Sequence, residues 1–252
     1  AFSVVNHDWA AAVDWHENDE QDDQTRGSLV DGARGAGASL AILDERVFFQ
    51  LLTGGADLAL LPAAAPNAPD GAAIYGATDG AGAARFGVAG GNTLAGGGLT
   101  TADIVQDTFT AISRIRRFLD TKGQPLWLAS RLQSFALIYN AVNEQVFAQA
   151  FLQRSHLGQV LATGGISNVF MDAGVKFTLW STPRIATNNY HLFCLDCPKK
   201  AIFKQVRQEL RESIEDFSNS DRTRRTKVKR VQWDSRAGYG LALPYQTVRV
   251  TL

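Results

Sequence analysis

The longest helical pattern in the chain constrains the fold more than any other feature. Between residues 29 and 53, apolar side chains recur every three or four residues, which places them on one face of a helix. Gly32, Gly35 and Gly37 weaken its first half, since each costs about 1 kcal/mol relative to alanine. A Gly-Gly pair follows and predicts the end of the helix. The apolar positions are Val30, Ala33, Leu40, Leu43, Val47 and Leu51.

Four other segments have patterns that predict secondary structure. Thr100 stands at a capping-box spacing and opens a predicted helix over residues 101–120. Apolar residues at helical spacing predict another helix over residues 132–151 and favour a helix over residues 201–217. Strict alternation over residues 247–252 predicts a half-buried strand. Helices and strands are therefore mixed along the chain, without an internal repeat.

Charge is unevenly distributed although the formal net charge is zero. Residues 1–30 contain seven acidic residues and one arginine, whereas residues 199–230 contain eleven basic and five acidic residues. Two such segments favour electrostatic pairing, within a chain or between copies. The alternative interpretation is that the acidic and the basic segment each form a solvent-exposed face without pairing. The basic run 221–230 could also contact phosphate, although no aromatic residue interrupts it.

The search for catalytic, metal-binding or cofactor motifs finds none that is complete. Cys194 and Cys197 form a CxxC with His191 nearby, but a thioredoxin-type motif needs a helix start and structural zinc needs four ligands. The glycine-rich segments 76–87 and 89–98 lack the lysine of a phosphate loop. We therefore predict no catalytic residue, no metal and no cofactor. A thiol- or metal-dependent protein that uses the CxxC is the alternative.

Five segments occur in a recognisable order: GARGAGASLAILDERVFFQLLTGG, PDGAAIYGATDG, NTLAGGGLTTADI, GQPLWLASRLQSFALIYNAV and RAGYGLALPYQTVRV. In this order they resemble the major capsid protein of tailed bacteriophages, most of all the major head subunit of Mu-like phages and prophages. The resemblance extends over about residues 27–252. It implies an α+β protein with the HK97-type capsid fold, which has an N-terminal arm, an extended loop (E-loop), a peripheral domain with a long spine helix, and an axial domain.

The resemblance also divides the chain among these parts. It assigns residues 1–13 to the arm, 14–28 to the E-loop, 29–53 and 196–238 to the peripheral domain, and 54–195 and 239–252 to the axial domain. The family has extended strand near residues 201–217, so the resemblance favours a strand there through about residue 210. Removal of a leading segment during maturation, as in similar proteins, would fit a chain that starts at Ala1.

Contacts between subunits are expected to be non-covalent. The best-known member of this fold cross-links its subunits through an E-loop lysine, but this chain has no lysine before Lys122. Acidic residues of the E-loop are instead predicted to pair with a basic surface of a neighbouring subunit. The acidic residues are Glu17, Asp19, Glu20, Asp22 and Asp23, and the basic residues are Arg222, Arg224, Arg225, Lys227, Lys229 and Arg230. A hinge at the domain junction is predicted from Trp233, Gly238, Tyr239 and Gly240.

The function that this resemblance implies is structural. The chain would self-assemble into hexamers and pentamers of an icosahedral shell around double-stranded DNA, bound weakly and non-specifically at the inner face. Its other partners would be the portal and decoration proteins, with no membrane, cofactor or enzyme activity. Assembly would take place in the host cytoplasm and the product would be the virion. An encapsulin-like or gene-transfer-agent shell of the same fold is the alternative within this class.

Overall fold

The computed structural model describes residues 6–16, 18, 27–53, 68–127, 132–151, 174–197, 199–216 and 218–252. In chain order the elements are strand β1 (Asn6–His16), helices α1 (Gly27–Ala41) and α2 (Leu43–Thr53), strand β2 (Thr93–Ala95), helix α3 (Thr101–Arg116), strand β3 (Ser134–Asn140), helix α4 (Glu144–Phe151), strands β4 (Lys176–Thr182), β5 (Asn189–Cys194) and β6 (Ile202–Glu215), helix α5 (Asp221–Thr226), and strands β7 (Val228–Leu241) and β8 (Thr247–Thr251). The predicted α+β class is confirmed. No helix within these ranges is both long and apolar enough to cross a membrane.

The chain divides into two compact units. The first contains β1, α1, most of α2, β6, α5 and β7, and the second contains the other strands and helices. The chain returns to the first unit between Ile202 and Phe203 and leaves it again between Gly240 and Leu241. Each unit has its own β-sheet.

The first unit is built on a three-stranded sheet in the order β1–β7–β6. β1 pairs antiparallel with β7, from Asn6 opposite Gly238 to His16 opposite Val228. Residues 14–16, which the resemblance assigned to the E-loop, continue the strand that begins among the residues assigned to the arm. Apolar residues alternate in this part of the sequence, as in a strand, but the acidic segment that follows obscured the pattern. The alternating residues are Trp9, Ala11, Val13 and Trp15.

The helix predicted over residues 29–53 is present as the consecutive segments α1 and α2. Helical hydrogen bonds continue through Ile42, which separates the two segments. α1 packs against the sheet at Gly37, where a built Cβ would make an ordinary van der Waals contact with the Trp233 ring at 3.6 Å.

Strand β6 settles the conflict over residues 201–217. It is a strand from Ile202 to Glu215, as the resemblance implied, and the helix favoured by local spacing is wrong. The physical reason is that hydrogen bonding to β7 outweighs the intrinsic preference of this polar sequence.

The second unit is built on a five-stranded mixed sheet in the order β2–β8–β5–β3–β4. The central strand β5 is antiparallel to both of its neighbours, β8 and β3, and each edge strand runs parallel to the strand beside it. A hydrophobic core joins this sheet to α3 and α4. Its fully buried members include Ile104, Ile115, Phe135, Phe147, Tyr190 and Val248. The predicted terminal strand is confirmed as β8, which lies inside the sheet rather than at an edge.

Residues 132–151 correct another prediction, because they do not form one helix. Ser134–Asn140 is strand β3, followed by one 3-10 turn and then helix α4. β3 lies between β5 and β4, and its last four residues are all buried. A strand buried on both faces loses the alternation that distinguishes it from a helix, so its sequence pattern was ambiguous.

Helix α3 begins where the sequence predicted. The hydroxyl of Thr100 accepts a hydrogen bond from the backbone N–H of Asp103 at 3.2 Å. This N-cap satisfies a backbone donor that has no partner inside the helix. The prediction succeeded because the signal is local.

A buried arginine organises the glycine-rich segment before α3. The Arg85 side chain is fully buried and makes a two-point ion pair with Asp70, with Nε to Oδ2 at 2.7 Å and Nη2 to Oδ1 at 3.0 Å. Its Nη1 donates to the carbonyl oxygens of Ala73 and Ile74 at 2.8 and 3.1 Å. Asn92 donates to the same Ile74 oxygen at 2.7 Å. Side chains thus supply the hydrogen bonds of a segment that has little regular structure.

Candidate assembly surface

The predicted basic surface lies at one end of the first unit, where α5 connects β6 to β7. The Ser220 side chain caps the start of α5 by accepting a hydrogen bond from the Thr223 N–H. Lys227 ends the helix in the left-handed conformation, with φ of 56°. Of the predicted basic residues, Arg222, Arg224 and Arg225 lie on α5, Lys227 follows it, and Lys229 and Arg230 lie at the start of β7.

Part of this basic surface is neutralised within the chain. Asp14 on β1 lies opposite Arg230 on β7, and the two form a two-point ion pair at 2.6 and 2.7 Å. Arg222 contacts the same carboxylate at 3.4 Å and Glu215 at 3.2 Å. The hydrogen bond from Arg230 lowers the pKa of Asp14, and that bond also raises the pKa of Arg230. An acidic residue from the predicted E-loop range therefore pairs with the basic surface of its own chain.

The five acidic residues predicted to contact a neighbouring subunit lie outside the described residues. They are Glu17, Asp19, Glu20, Asp22 and Asp23. Their pairing with the basic residues on and after α5 stays a prediction. The charge pattern had allowed pairing within a chain or between copies, and the Asp14 contacts are of the first kind.

The predicted hinge residues all lie in β7. Trp233 faces Gly37 of α1, and the Tyr239 hydroxyl donates to Asp44 of α2. Gly238 and Gly240 do not have positive φ, and β7 continues as a strand through both to Leu241. A hinge role for these residues stays a prediction.

Strand β6 carries an exposed apolar stripe that the sequence analysis misassigned. Val206, Leu210 and Ile214 are 48%, 52% and 53% exposed. Helical spacing placed them on a buried helix face, but a separation of four residues also puts side chains on one face of a strand. Polar residues occupy nearly every second position of β6, and this alternation could have identified an exposed strand.

The CxxC lies in the second unit, away from any group of possible metal ligands. Cys194 and Cys197 are buried free thiols whose sulfur atoms are 3.6 Å apart. Burial raises the pKa of both thiols, that of Cys197 to about 12. His191 is on the opposite face of β5, and burial lowers its pKa to about 3. Among the described residues, no three His, Cys, Asp or Glu side chains are grouped to hold a metal ion.

No protein-family model matches this sequence, and no curated protein matches it either. Solved structures do resemble it. The asymmetric unit of the bacteriophage PhiM1 mature capsid gives a TM-score of 0.56 at 11% identity, over 100% of this chain and 72% of that one. The capsid of cyanophage P-SCSP1u gives 0.55 at 12% identity, over 98% and 72%. The capsid of Myoviridae phage XM1 gives 0.53 at 12% identity, over 98% and 74%.

These comparisons define the class of fold. The likeness runs over nearly the whole chain and includes both units, and each matched structure is a phage capsid. The chain has the HK97-type capsid fold, as the sequence predicted.

Proposed function

We propose that this chain is the major capsid protein of a tailed bacteriophage and that its copies assemble into the icosahedral shell of the head. The observation that carries this proposal is the likeness of 98–100% of the chain to the phage capsids described above. A fold by itself does not define a function. Here the first unit adds support, because its surface has the exposed apolar and charged features of a subunit that packs against copies of itself.

The finer assignments of the sequence analysis belong to the same proposal. The subunit would be most similar to the head protein of Mu-like phages. The first unit, with its helices α1 and α2 and strands β6 and β7, would be the peripheral domain, and the second unit would be the axial domain. The role is structural rather than enzymatic, with shells stabilised without a lysine cross-link on the E-loop.

The partners follow from this role. Copies of the chain would form hexamers and pentamers, with a portal at one vertex and decoration proteins outside. Double-stranded DNA would lie against the inner face through weak, non-specific contacts, in keeping with a net charge of zero. The shell would form in the host cytoplasm and become part of the virion.

Sedimentation and cryo-electron microscopy of the purified protein test the proposal. Closed icosahedral particles tens of nanometres across are the expected result, and a chain that stays monomeric or dimeric under every assembly condition would refute it. Native mass spectrometry of capsomers released from the shell should show five and six copies.

Salt tests the proposed contact between the E-loop and the basic surface. Raising the ionic strength from 0.1 to 1 M shortens the Debye length from about 10 to 3 Å, which screens exposed charges. Shells should therefore dissociate at lower temperature as salt rises. Variants that replace Glu20 and Asp22 with Gln and Asn should lose most of this salt dependence, whereas Asp31→Asn on α1 should retain it. Shells whose stability does not respond to salt would contradict the electrostatic contact.

A further inference from the structure

The outer edge of β6 is open in the described part of the chain. β6 is the last strand of its sheet, and β7 is the only described strand that hydrogen-bonds to it. It is 14 residues long and mostly exposed. Natural proteins usually shorten, cover or interrupt such an edge, because its unpaired N–H and C=O groups attract another strand. A long edge with exposed Val206, Leu210 and Ile214 therefore has the features of a strand that pairs.

The sequence of this edge is complementary to itself when two copies run antiparallel. With Leu210 opposite Leu210 of the second copy, residue i faces residue 420 − i on the same side of the sheet. Val206 then faces Ile214. Glu209 faces Arg211, whose side chain also pairs with Asp234 of its own chain at 2.9 Å, so opposite charges meet on both sides of the centre.

We propose that two copies of this chain pair through β6 about a two-fold axis at Leu210, so that their three-stranded sheets join into one six-stranded sheet. The occupant of the open edge is thus a second copy. The same edge serves on both partners, as an isologous two-fold contact requires. Backbone hydrogen bonds would hold the strands together, and the apolar stripe and the Glu209–Arg211 pairs would fix their register.

Other registers fit less well. In a two-fold antiparallel pair, one residue lies opposite its own copy at the axis. Alternative registers therefore differ only in which residue lies at the axis, and every side chain stays on its own face of the sheet. An axis at Glu209 places Arg207 opposite Arg211, and an axis at Arg211 or Glu212 brings two like charges together. An axis at Gln208 avoids like charges, but it places Ile214 opposite a residue that does not belong to the exposed stripe of the other copy. Only the axis at Leu210 pairs all three exposed apolar residues with one another.

This inference rests on the proposed function, because it takes a second copy of the chain as the partner of β6. In a shell, a two-fold contact of this kind would join subunits of neighbouring capsomers. The test therefore measures shell formation and strand pairing separately, in the full chain.

Cysteine cross-linking reports the register directly. Opposite residues of paired antiparallel strands have Cβ atoms about 4.5–5.5 Å apart, close to the range that a disulfide spans. Leu210→Cys would lie on the axis and should give cross-linked dimers under mild oxidation. Gln208→Cys is the matched control on the same face, because it would be about 13 Å from its copy. The native thiols Cys194 and Cys197 are buried and so interfere little.

A charge change gives an independent test. Glu209→Lys would face Arg211 of the second copy at two symmetric positions, and should lower the cross-linking yield of Leu210→Cys by about fivefold or more. Asp31→Lys makes the same change of charge on α1 and should leave the yield unchanged. Circular dichroism would confirm that both variants are folded.

The outcomes separate the two proposals. Selective cross-linking at position 210, weakened by Glu209→Lys, supports the pairing whether or not shells are seen by sedimentation. Shells that form without cross-linking at position 210 would leave the proposed function intact and overturn the pairing. Equal cross-linking at positions 208 and 210, or stronger cross-linking at 208, would also overturn it.

Discussion

The two units of the chain bury their side chains to different degrees. In the second unit, five strands and two helices enclose an aromatic core, where Tyr139 stacks on Phe147 with ring centroids 4.2 Å apart. In the first unit, the three-stranded sheet has many half-exposed residues and carries ion pairs between its strands, such as Asp14–Arg230 and Arg211–Asp234. The second unit has the larger buried core, and its exposed apolar side chains are scattered at Leu99, Val142, Trp180 and Leu195. The first unit instead carries a row of exposed apolar side chains on one edge strand, at Val206, Leu210 and Ile214.

Under the proposed function, this difference predicts which part of the chain depends on contacts with its copies. Burial of apolar surface is the main stabilising contribution in folding and in most associations. A unit with exposed apolar side chains on an open strand gains that contribution only on assembly. The contrast predicts that changes in the second unit mainly affect folding, and changes in the first mainly affect contacts between copies.

Thiol reactivity should show the contrast most strongly. A pKa of about 12 for Cys197 leaves about a thousandfold less thiolate at neutral pH than an ordinary thiol has. Burial also limits access of the reagent. Alkylation of Cys197, followed by mass spectrometry, should therefore be at least about a thousandfold slower than that of the thiol introduced by Ser213→Cys on β6. Both should react at similar rates in denaturant, and similar rates in the folded protein would contradict the burial described here.

Removing the buried arginine should have the largest effect on stability. Arg85→Met leaves the Asp70 carboxylate without its partner and should lower the free energy of unfolding by about 3–5 kcal/mol. The matched control is Arg34→Met in the first unit, where the pair with Asp31 is 3.7 Å long and both side chains are more than 70% exposed. Its effect should be within about 0.5 kcal/mol. Urea unfolding measures both, and equal losses would mean that the buried pair adds no special stability.

Two glycines should respond to alanine in opposite directions. Gly91 in the second unit has φ of 53°, and a Cβ there would clash with the backbone oxygen of Gly76. Gly91→Ala should therefore destabilise by about 1–3 kcal/mol or more. Gly35 lies on α1 with nothing within 4 Å of a built Cβ. Gly35→Ala should stabilise by about 0.5–1 kcal/mol, as helix propensity predicts. Thermal unfolding reports both signs, and a destabilising Gly35→Ala would mean that α1 needs its flexibility.

The ion pair of Asp14 should give the smallest effect, and one that depends on pH. Because the folded state lowers the pKa of Asp14 below 3.8, its contribution is present above that value and is lost as the pH falls through the lower folded pKa. Asp14→Asn should therefore cost up to about 1 kcal/mol at neutral pH, since the carboxylate is partly exposed. The variant and the parent should converge in acid-unfolding measurements below pH 3.8. A difference that persists at low pH would point to packing instead of charge.

The sequence predictions succeeded where the signal lies within a few neighbouring residues and failed where it depends on distant parts of the chain. The N-cap at Thr100 lies within four residues of its partner, and the start of its helix was predicted correctly, although the helix ends at Arg116 instead of residue 120. β6 was assigned correctly only through the order of the segments, since its local pattern favours a helix. β3 was assigned wrongly, because a strand buried on both faces has no alternation.

The candidate surface was harder to predict than the fold. The predicted basic residues lie on α5, directly after it and at the start of β7, but the pairing of Arg222 and Arg230 with Asp14 depends on a strand more than 200 positions earlier in the chain. Arg85 was missed for the same reason, since its partners come together only when the glycine-rich segment folds. The exposed stripe of β6 was misassigned because a spacing of four residues suits both a helix face and a strand face.

The place of β8 in its sheet has a consequence for synthesis. β8 lies between β2 and β5, and Arg249 pairs with Thr93 and His191, residues made much earlier by the ribosome. Until residues 247–251 have been translated, β2 lacks a partner and one edge of β5 remains open. The five-stranded sheet can therefore close only after β8 has been translated. A nascent chain lacks the final packing of this sheet until then.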